Sequence, residues 1–465
     1  MERILIGNLN DHIGKEVEVL GWVSVRRDHG KLIFIDLRDR TGFIQTVILP
    51  KPEELHAVGE KLRSEWVVSI KGIVNSRPEN MVNDGPNGKI ELLANHIDVL
   101  NEATILPFDI NQDTRNIGEE IRLKYRYFDL KSSRLQDNIR RRHKTTQYVR
   151  NYLSEENFIE VETPLLTKST PEGARDYLVP SRIDRGNFYA LPQSPQQYKQ
   201  LLMAGGIERY FQFAKCMRDE DTRGDRQPEF TQMDLEMSFV DREDVMKLTE
   251  DLIIKLVTDL YPEKHIQETP FPRMSYKEAI EKYGSDRPDI RKDKNDPNLL
   301  AFVWVIDFPF FEKTEKGGWT FTHNPFSMPK KEYIEDLIKK ENIAEILTTQ
   351  YDIVLNGFEI GGGSIRSHKP EILSTVFEIM GFEPDRIEGN FGHMLEAFKT
   401  GVPPHGGLAW GFDRLMMILL NEPNIREVIA FPKTGEGKDL MMSAPSKAEP
   451  EQLMELGITF RKEDK

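Results

Sequence analysis

The sequence predicts an α+β protein in which a small β-barrel precedes a large mixed domain. Residues 1–104 contain five short runs of alternating apolar and polar residues, separated by Gly, Asp and Pro, which is the pattern of half-buried strands and turns. From residue 134 onward, a long stretch with helical periodicity is followed by mixed strand-like and helix-like segments. The chain of 465 residues has room for two to four domains with full-sized cores.

The five N-terminal runs are VEVLGWVSVRR, KLIFIDLRDR, GFIQTVIL, WVVSIKGIV and KIELLANHIDVL. Five short strands in about 100 residues suit a small closed barrel such as the OB-fold, which often binds single-stranded nucleic acid. A sandwich domain without a ligand is the alternative. Residues 105–133 have few β-branched runs and are expected to form a hinge or connector.

A long helix is predicted to begin near Ser133 and to end near Asn157. Ser133 and Gln136 fit the capping-box pattern, and Asn tolerates the left-handed conformation that ends many helices. The apolar face recurs at helical spacing through Leu135, Ile139, Thr146, Val149 and Leu153. Residues 134–465 are therefore expected to form one α+β domain, built on an antiparallel sheet flanked by helices.

Composition narrows the possible functions. No run of 18 apolar residues is present, so no membrane span is predicted, and the N-terminal residues lack the pattern of a signal or transit peptide. The single cysteine, Cys216, excludes a disulfide within the chain and a Cys-rich zinc site, and it indicates a reducing compartment, expected to be the cytoplasm.

The net charge of −14 argues weakly against nucleic-acid binding. Two local basic clusters could nevertheless contact phosphates, with a solvated face as the alternative for each. They comprise Arg26, Arg27, Lys31 and Arg38, and residues 140–144.

Three motifs stand out. They are FIEVETPLL (158–166), FAKCMRDE (213–220) followed by RQPEFTQMD (226–234), and GGLAWGFDR (406–414). Each is weak alone, because an Arg-x-Glu triplet or a Gly-rich turn is common. In this order and at these separations they resemble motifs 1, 2 and 3 of class II aminoacyl-tRNA synthetases.

The residue types suit the chemistry that this resemblance implies. Adenylate formation joins a carboxylate to the α-phosphate of ATP and expels pyrophosphate, so negative charge builds on phosphoryl oxygens. The guanidinium of Arg218 can bridge two such oxygens, and Arg414 can brace the far end of the nucleotide. Glu220 suits a hydrogen bond from the adenine amino group. A surface salt bridge is the alternative for each arginine.

Three further segments look like the bacterial aspartyl-tRNA synthetase family, and this resemblance covers nearly the whole chain. They are TPEGARDY (170–177), QSPQQYKQ (193–200) and GFEIGGGSIR (357–366). Residues matching the family's aspartate site are Glu172, Gln196, Lys199, Arg218, Asp234, His323 and Arg366. Residues assigned to ATP are Arg218, Asp219, Glu220, Gln227, Glu359, Gly411, Phe412, Asp413 and Arg414. Asp352 and Glu359 match the carboxylates that bind Mg²⁺, which takes hard oxygen ligands and keeps several waters; a surface acidic pair is the alternative for these two.

Arg366 and Lys199 suit the side-chain carboxylate of aspartate, whereas Asp234 and Glu172 suit its ammonium group. Binding asparagine would leave two buried cations without a counter-charge, which argues against the related asparaginyl-tRNA synthetases. Retention of both Arg218 and Arg414 argues against an inactive RNA-binding paralogue.

Arg27, Phe34 and Gln45 match the family's anticodon readers. An aromatic ring can stack on an unstacked base, and Arg and Gln can read its edge; a core position is the alternative for Phe34. His29 and Asn80 lie where the family's tRNA choice is decided. Histidine at position 29 is typical of relaxed members that charge both tRNA-Asp and tRNA-Asn, whereas Asn80 fits neither pattern. Strict charging of tRNA-Asp, with His29 only a turn residue, is the alternative.

The chain departs from the family at three places. A large inserted domain, expected near residues 289–300, is missing, and activity is expected to survive its loss. Asn157 replaces the usual glycine of motif 1. Asn324 replaces the second histidine of a His-His-Pro-Phe pattern, and only a peripheral contact is expected to change. Because class II relatives pair through motif 1, we also expect a homodimer.

Overall fold

The computed structural model describes residues 3–169 and 173–460. The chain divides between Ile117 and Gly118 into two compact units, a boundary that lies inside the segment expected to be a connector. Among the described residues, none of the helices combines the length and the apolar character that a membrane span requires.

The first unit is a closed five-stranded barrel, which confirms the predicted OB-fold. Its strands pair in the order β1-β2-β3-β5-β4, with β1 also pairing with β4 to close the barrel. A helix, α1, packs against β2, β3 and β5. The bounds are β1 Glu16–His29, β2 Leu32–Asp39, β3 Gly42–Ile48, α1 Glu53–Lys61, β4 Val67–Ser76 and β5 Ile90–Asn101.

Alternation along β2 assigns each side chain to one face of the barrel. Ile33, Ile35 and Leu37 are buried in the barrel core. Phe34 and Asp36 lie between them, are only partly buried, and therefore belong to the outer face. Phe34 is thus available to a ligand and is not a core residue.

The second unit is built on an eight-stranded sheet with the order β12-β14-β17-β18-β19-β10-β9-β6. The six strands from β14 to β9 pair antiparallel, whereas the edge strands β12 and β6 pair parallel. The strand bounds are β6 Ile159–Glu160, β7 Leu178–Pro180, β8 Phe188–Ala190, β9 Arg209–Met217, β10 Glu229–Ser238, β11 His265–Ile266, β12 Arg273–Ser275, β13 Leu299–Leu300, β14 Phe302–Ile306, β15 Phe311–Lys313, β16 Trp319–Phe321, β17 Tyr351–Leu355, β18 Phe358–Ile365 and β19 His405–Gly411.

Helices pack on both faces of this sheet. Apolar residues of α4, α6 and α11 form one large core with the inner residues of the central strands. A second cluster joins α5, α9 and α10 beside the opposite face. The helix bounds are α2 Glu119–Lys124, α3 Arg126–Asp129, α4 Ser133–Glu155, α5 Gln196–Ala204, α6 Arg242–Leu260, α7 Tyr276–Tyr283, α8 Ile334–Lys339, α9 Pro370–Ile379, α10 Pro384–Phe398, α11 Phe412–Leu419 and α12 Pro450–Leu456.

The long helix α4 begins and ends where the sequence predicts, but its start has a different cap. Asn157 follows the helix with φ of 64°, and the amide of Phe158 closes the end on the carbonyl of Leu153 at 2.9 Å. The N-cap residue is Ser132, whose side chain makes no capping hydrogen bond. Gln136 instead donates to the carbonyl of Leu130 at 2.6 Å, so the predicted capping box is wrong.

Candidate active site and candidate anticodon surface

Strand β10 separates the core from the site. Met233, Leu235 and Met237 belong to the core, and the residues between them point to the opposite face because strand side chains alternate. That face borders a cavity of about 350 Å³. Among the residues lining it are Gln196, Lys199, Arg218, Glu220, Gln227, Asp234, His323, Asp352, Glu359, Arg366, Gly411, Asp413 and Arg414. Most of the candidate residues from five separate sequence segments therefore meet in one place.

Three candidate residues are absent from the set that lines this cavity. Phe412 is buried in the core and meets Phe213 edge to face at 5.1 Å, so its side chain cannot contact ATP and that prediction is corrected. Asp219 lies in a neighbouring depression with Arg175 instead of lining the cavity. Glu172 lies outside the described residues.

Four buried charged residues form a cluster beside the cavity. Lys199 Nζ lies 2.7 Å from Asp234 Oδ1 and 3.1 Å from Glu236 Oε2. Arg366 binds Glu236 through Nε at 2.8 Å and Nη2 at 3.1 Å. All four side chains are at most 3% exposed. The two cations thus already have carboxylate partners, so the expectation that asparagine would leave them without a counter-charge is wrong.

The pKa values of the two carboxylates are shifted in opposite directions. Burial alone would raise the pKa of Glu236, but the charges of Arg366 and Lys199 outweigh it and hold that pKa at about 2. Burial raises the pKa of Asp234, and Lys199 only partly opposes this. Asp234 Oδ2 is buried and makes no close hydrogen bond among the described residues, although the Tyr210 hydroxyl, which donates to Gln212 Oε1 at 2.9 Å, lies near the Asp234 carboxylate. It is therefore a free acceptor for a donor such as an ammonium group.

Arg218 presents a cation to the same cavity. Its guanidinium lies over the ring of Phe230, 5.2 Å from the centroid. Its Nε is buried and finds no hydrogen-bond acceptor within the part of the chain that the structure describes. A buried donor of this kind in a cavity suits an anionic ligand.

Arg414 and Asp413 begin helix α11 at the rim of the cavity. Arg414 donates to the carbonyl of Glu359 and pairs with Asp225 Oδ2 at 3.1 Å. Asp413 accepts from the amide of Thr231 at 2.8 Å and pairs with Arg142 at 2.6 Å. Asp413 therefore anchors the turn that positions Arg414.

Glu220 and Gln227 lie in the loop between β9 and β10. Glu220 pairs with the partly exposed Arg226 at 3.5 Å. The side-chain oxygen of Gln227 accepts from the amide of Lys433 at 2.8 Å. Both side chains still line the cavity, so the loop contributes one wall of it.

Asp352 and Glu359 are the candidate ligands for Mg²⁺. Burial, which His323 partly opposes, and the charge of Glu359 raise the pKa of Asp352 to about 7. Two carboxylates that repel each other at a cavity wall fit a divalent cation, which would relieve that repulsion. No group of three or more His, Cys, Asp or Glu suited to a metal occurs among the described residues, and Mg²⁺ needs only one or two protein carboxylates.

Asn324 has more than the expected peripheral role. Its amide donates to Gln350 Oε1 at 3.0 Å, and Gln350 Nε2 donates to Asp352 Oδ1 at 2.6 Å. His323 Nδ1 lies 3.5 Å from the other oxygen of Asp352. Asn324 therefore helps to hold the carboxylate that was assigned to Mg²⁺.

Where β18 and β19 pair, the cavity is lined by residues 361–363 and Ala409. A Cβ on Gly362 would lie 2.5 Å from Asp352 Oδ1, and one on Gly407 would lie 2.2 Å from Glu236 Oε2. Any side chain at either position would displace a site carboxylate. These glycines are therefore required by space.

Glu236 and Gln350 belong to the site but were not predicted from the sequence. Glu236 follows Asp234 by two residues on a strand, so strand alternation places both carboxylates on the same face, and this signal could have found it. Gln350 acquires its place through a contact with Asn324, 26 residues away. No local pattern predicts that contact.

The candidate anticodon residues form one patch on the outer face of the barrel. Arg27 lies opposite Phe34, and Gln45 lies opposite Asp36. Arg27 binds both oxygens of Asp36, at 2.6 and 2.7 Å. The ring of His29 meets Phe34 edge to face, with centroids 5.7 Å apart. His29 is therefore part of this patch and not an isolated turn residue.

Other sequence candidates lie elsewhere. Asn80 is exposed in the 3-10 turn Glu79–Met81 between β4 and β5. In the basic cluster at residues 140–144, Arg141 pairs with Asp137 and Glu263, and Arg142 pairs with Asp413. These two arginines are thus engaged within the protein.

Comparisons with known proteins agree with this geometry. Residues 118–435 match the family "tRNA synthetases class II (D, K and N)", and residues 17–100 match "OB-fold nucleic acid binding domain". The aspartate–tRNA(Asp/Asn) ligase of Rubrobacter xylanophilus is 40% identical, with 97% of this chain and 95% of the relative aligned. The aspartate–tRNA ligase of Staphylococcus saprophyticus is 40% identical over 97% of each chain.

The latter alignment spans 577 positions although this chain has 465 residues. The relative therefore has residues that this chain lacks, and the expected position of the missing insertion, near residues 289–300, stays a prediction.

Solved structures share the fold. The asparaginyl-tRNA synthetase of Pyrococcus horikoshii superposes with a TM-score of 0.73 at 23% identity, covering 91% of this chain and 96% of that one. The aspartyl-tRNA synthetase of Entamoeba histolytica gives 0.73 at 22% identity, covering 93% and 91%. The family match and the 40% identical relatives together show that this chain belongs to the class II aminoacyl-tRNA synthetases, and within them to the aspartate–tRNA ligases.

Proposed function

We propose that the protein attaches L-aspartate to tRNA-Asp in two ATP-dependent steps, through an aspartyl-adenylate. The observation that carries this proposal is that the buried cations Lys199 and Arg366 line the same cavity as Arg218. Together these three cations suit a ligand that combines a small dicarboxylate with a phosphate.

In the first step, an oxygen of the substrate α-carboxylate bonds to the α-phosphorus, and the bond from that phosphorus to pyrophosphate breaks. Arg218 stabilises the charge on the α-phosphate, because its unpaired Nε and stacked guanidinium are already in place. Arg414 orients the nucleotide, and Glu220 and Gln227 line its binding wall. Asp352 and Glu359 would hold Mg²⁺, which would neutralise phosphate charge when bound. In the second step, a hydroxyl of the terminal ribose of tRNA attacks the activated carbonyl and releases AMP, which requires positioning above all.

Recognition of aspartate follows from donors and acceptors. Asp234 Oδ2 accepts from the substrate ammonium group, and Gln196 lies beside it in the same cavity. Arg366 and Lys199 carry only N–H donors, which suit a side-chain carboxylate. The amide nitrogen of asparagine is itself a donor, so its N–H groups would face the N–H donors of Arg366 and Lys199. Asparagine is therefore disfavoured as a substrate because its amide mismatches these donors, and not because two buried cations would lack a counter-charge.

The barrel patch of Arg27, His29, Phe34 and Gln45 is the proposed reader of the anticodon. Phe34 offers a face for stacking, and Arg27 and Gln45 flank it. The contact between His29 and Phe34 favours a second proposal, relaxed charging of both tRNA-Asp and tRNA-Asn. Asn80, exposed at a turn, is proposed to contribute to that choice.

Assembly and location are proposed as well. Ile159, Leu165 and Leu166 of the first motif are about half exposed, an apolar strip that supports a homodimer. Light scattering that gives only a monomer would contradict this. The single buried Cys216 supports a place in the cytoplasm.

Aspartylation of tRNA-Asp and tRNA-Asn transcripts in parallel tests the proposed function. Labelled L-aspartate, ATP and Mg²⁺ are supplied to both reactions. Charging of both transcripts supports the relaxed enzyme, and charging of tRNA-Asp alone supports the strict one. Absence of charging, together with absence of aspartate-dependent pyrophosphate exchange, refutes the proposed function.

A further inference from the structure

A chain of three side chains runs from the cavity into the core beside it. Gln196, at the start of α5, lines the cavity, and Gln200 lies one turn further along the same helix. Gln196 Nε2 donates to Gln200 Oε1 at 2.9 Å, and Gln200 Nε2 lies 3.2 Å from His405 Nε2. Gln200 and His405 are fully buried.

The far end of the chain fixes its direction. His405 Nδ1 lies 2.8 Å from the carbonyl oxygen of Pro403. A carbonyl only accepts hydrogen bonds, so Nδ1 carries a proton. Burial lowers the pKa of His405 to about 4, so the ring is neutral near pH 7 and its Nε2 has a free lone pair.

Each amide orientation then follows from the one before it. Nε2 of His405 can only accept, so Gln200 turns its NH₂ group toward it. Gln200 Oε1 consequently faces Gln196, whose NH₂ group must donate to it. The remaining atom of the Gln196 amide, Oε1, is the acceptor left to face the cavity, where Asp234 Oδ2 also makes no close hydrogen bond.

We propose that Gln200 and His405 are positioning residues for amino-acid recognition, because they hold the amide of Gln196 with its oxygen toward the substrate ammonium group. The proposal rests on the proposed function, in which Gln196 borders the aspartate site. A reversed amide would place N–H donors against the ammonium group and weaken its binding.

Two ligands separate this role from a general effect on the pocket. L-aspartate carries the ammonium group, whereas succinate is the same dicarboxylate without it. The measurements are the KM for L-aspartate in ATP–pyrophosphate exchange and the Ki of succinate as a competitor of aspartate. Gln200→Met keeps the length of the side chain but removes both the carbonyl oxygen and the NH₂ group of its amide. We expect the KM for L-aspartate to rise about tenfold or more, as for a lost hydrogen bond to a charged group. We expect the Ki of succinate and the KM for ATP to change less than about twofold, since neither ligand uses this acceptor.

A second pair of variants covers the case in which Gln200→Met fails to fold. His405→Gln keeps an acceptor near the position of Nε2, whereas His405→Leu removes it. We expect His405→Leu to weaken aspartate but not succinate, and His405→Gln to restore aspartate binding. Melting temperatures confirm that the compared variants are folded.

Three outcomes overturn the proposal. They are equal weakening of aspartate and succinate, no change in the KM for aspartate, and equal effects of His405→Gln and His405→Leu in folded proteins. Failure of the proposed function is distinguishable, because the parental protein itself would then show no exchange with L-aspartate. Parental exchange without any separation of the two ligands in the variants refutes only the positioning role.

Discussion

Glu236 binds Arg366 through two hydrogen bonds, from Nε to Oε1 at 2.8 Å and from Nη2 to Oε2 at 3.1 Å. The same carboxylate lies 3.1 Å from Lys199. The two cations proposed to recognise the substrate carboxylate are therefore fixed in direction before any substrate arrives. Such preorganisation lowers the cost of ordering the site on binding.

Removal of the Glu236 charge tests this arrangement. Glu236→Gln leaves Lys199 and Arg366 with Asp234 as their one remaining carboxylate in the cluster. We expect the free energy of unfolding to fall by about 3–5 kcal/mol, as for a broken buried ion pair, in urea titrations. Asp251→Asn, which breaks the exposed pair with Lys247, is the control and should cost about 0–1 kcal/mol. Similar losses in both variants would contradict the buried role.

Arg218 is expected to act on the chemical step. Arg218→Ala should lower kcat for pyrophosphate exchange by on the order of 10²–10³-fold, because a positioned donor to the developing charge is lost. Arg218→Lys keeps the charge without the planar fork and should recover only part of the rate. Arg386→Ala provides the control, since Arg386 also lies over a ring, Phe382, at 4.0 Å, but at an exposed position of α10 that does not line the cavity. A rate unchanged in Arg218→Ala would remove Arg218 from the proposed mechanism.

The barrel patch predicts an effect on tRNA alone. Phe34→Ala should raise the KM for tRNA in aspartylation by an amount equivalent to about 1–3 kcal/mol, the usual contribution of one stacked base. Exchange without tRNA should be unchanged, because it does not use the barrel. Phe34→Tyr keeps the ring and should stay near the parental value. Ile73→Ala, at an exposed position of β4, is the matched control, and an equal rise in its KM would exclude specific stacking.

Acid stability should depend on Glu427. Burial alone would raise the pKa of Glu427, but its bonds to Arg122, at 2.6 and 3.0 Å, and the charge of Arg134 hold that pKa at about 2. A carboxyl with a depressed folded-state pKa contributes stability above its unfolded pKa of about 4.5, and this stability is lost as pH falls toward 2. The contribution is on the order of 2–3 kcal/mol near neutral pH.

Unfolding free energies measured between pH 7 and pH 3 check this prediction. The parental protein should lose stability across that range more steeply than Glu427→Gln, which lacks the titrating group. The variant should also be less stable at pH 7, because Arg122 and Arg134 lose a buried partner. Parallel pH profiles for the two proteins would exclude the assigned ion pairs as the cause.

Much of the fold follows from local pattern. Alternation predicts the barrel strands, and the left-handed tolerance of Asn157 predicts the end of α4. The same alternation explains why Asp234 and Glu236 share a face. Features that depend on distant partners could not be predicted in this way. Ser132 is the N-cap residue where Ser133 was expected to cap the helix, and Gln136 donates to the carbonyl of Leu130 instead of closing a capping box.

Some residues of the candidate site could be predicted from the sequence, and others could not. The resemblance to known family motifs identifies Arg218, Lys199 and Arg366, and the fold brings them to one cavity. Sequence alone assigns Phe412 to ATP because it lies inside a motif, but the first turn of α11 directs its ring into the core. The amide pair of Asn324 and Gln350 depends on a contact between loops, and no periodicity encodes such a contact.

The backbone at Gly362 and Gly407 limits which single substitutions the site tolerates. A new side chain at either position collides with Asp352 or Glu236, so a substitution there damages the site before it can reshape it. Attempts to engineer a new substrate preference are therefore better directed at residues whose side chains line the cavity, such as Gln196 or His323.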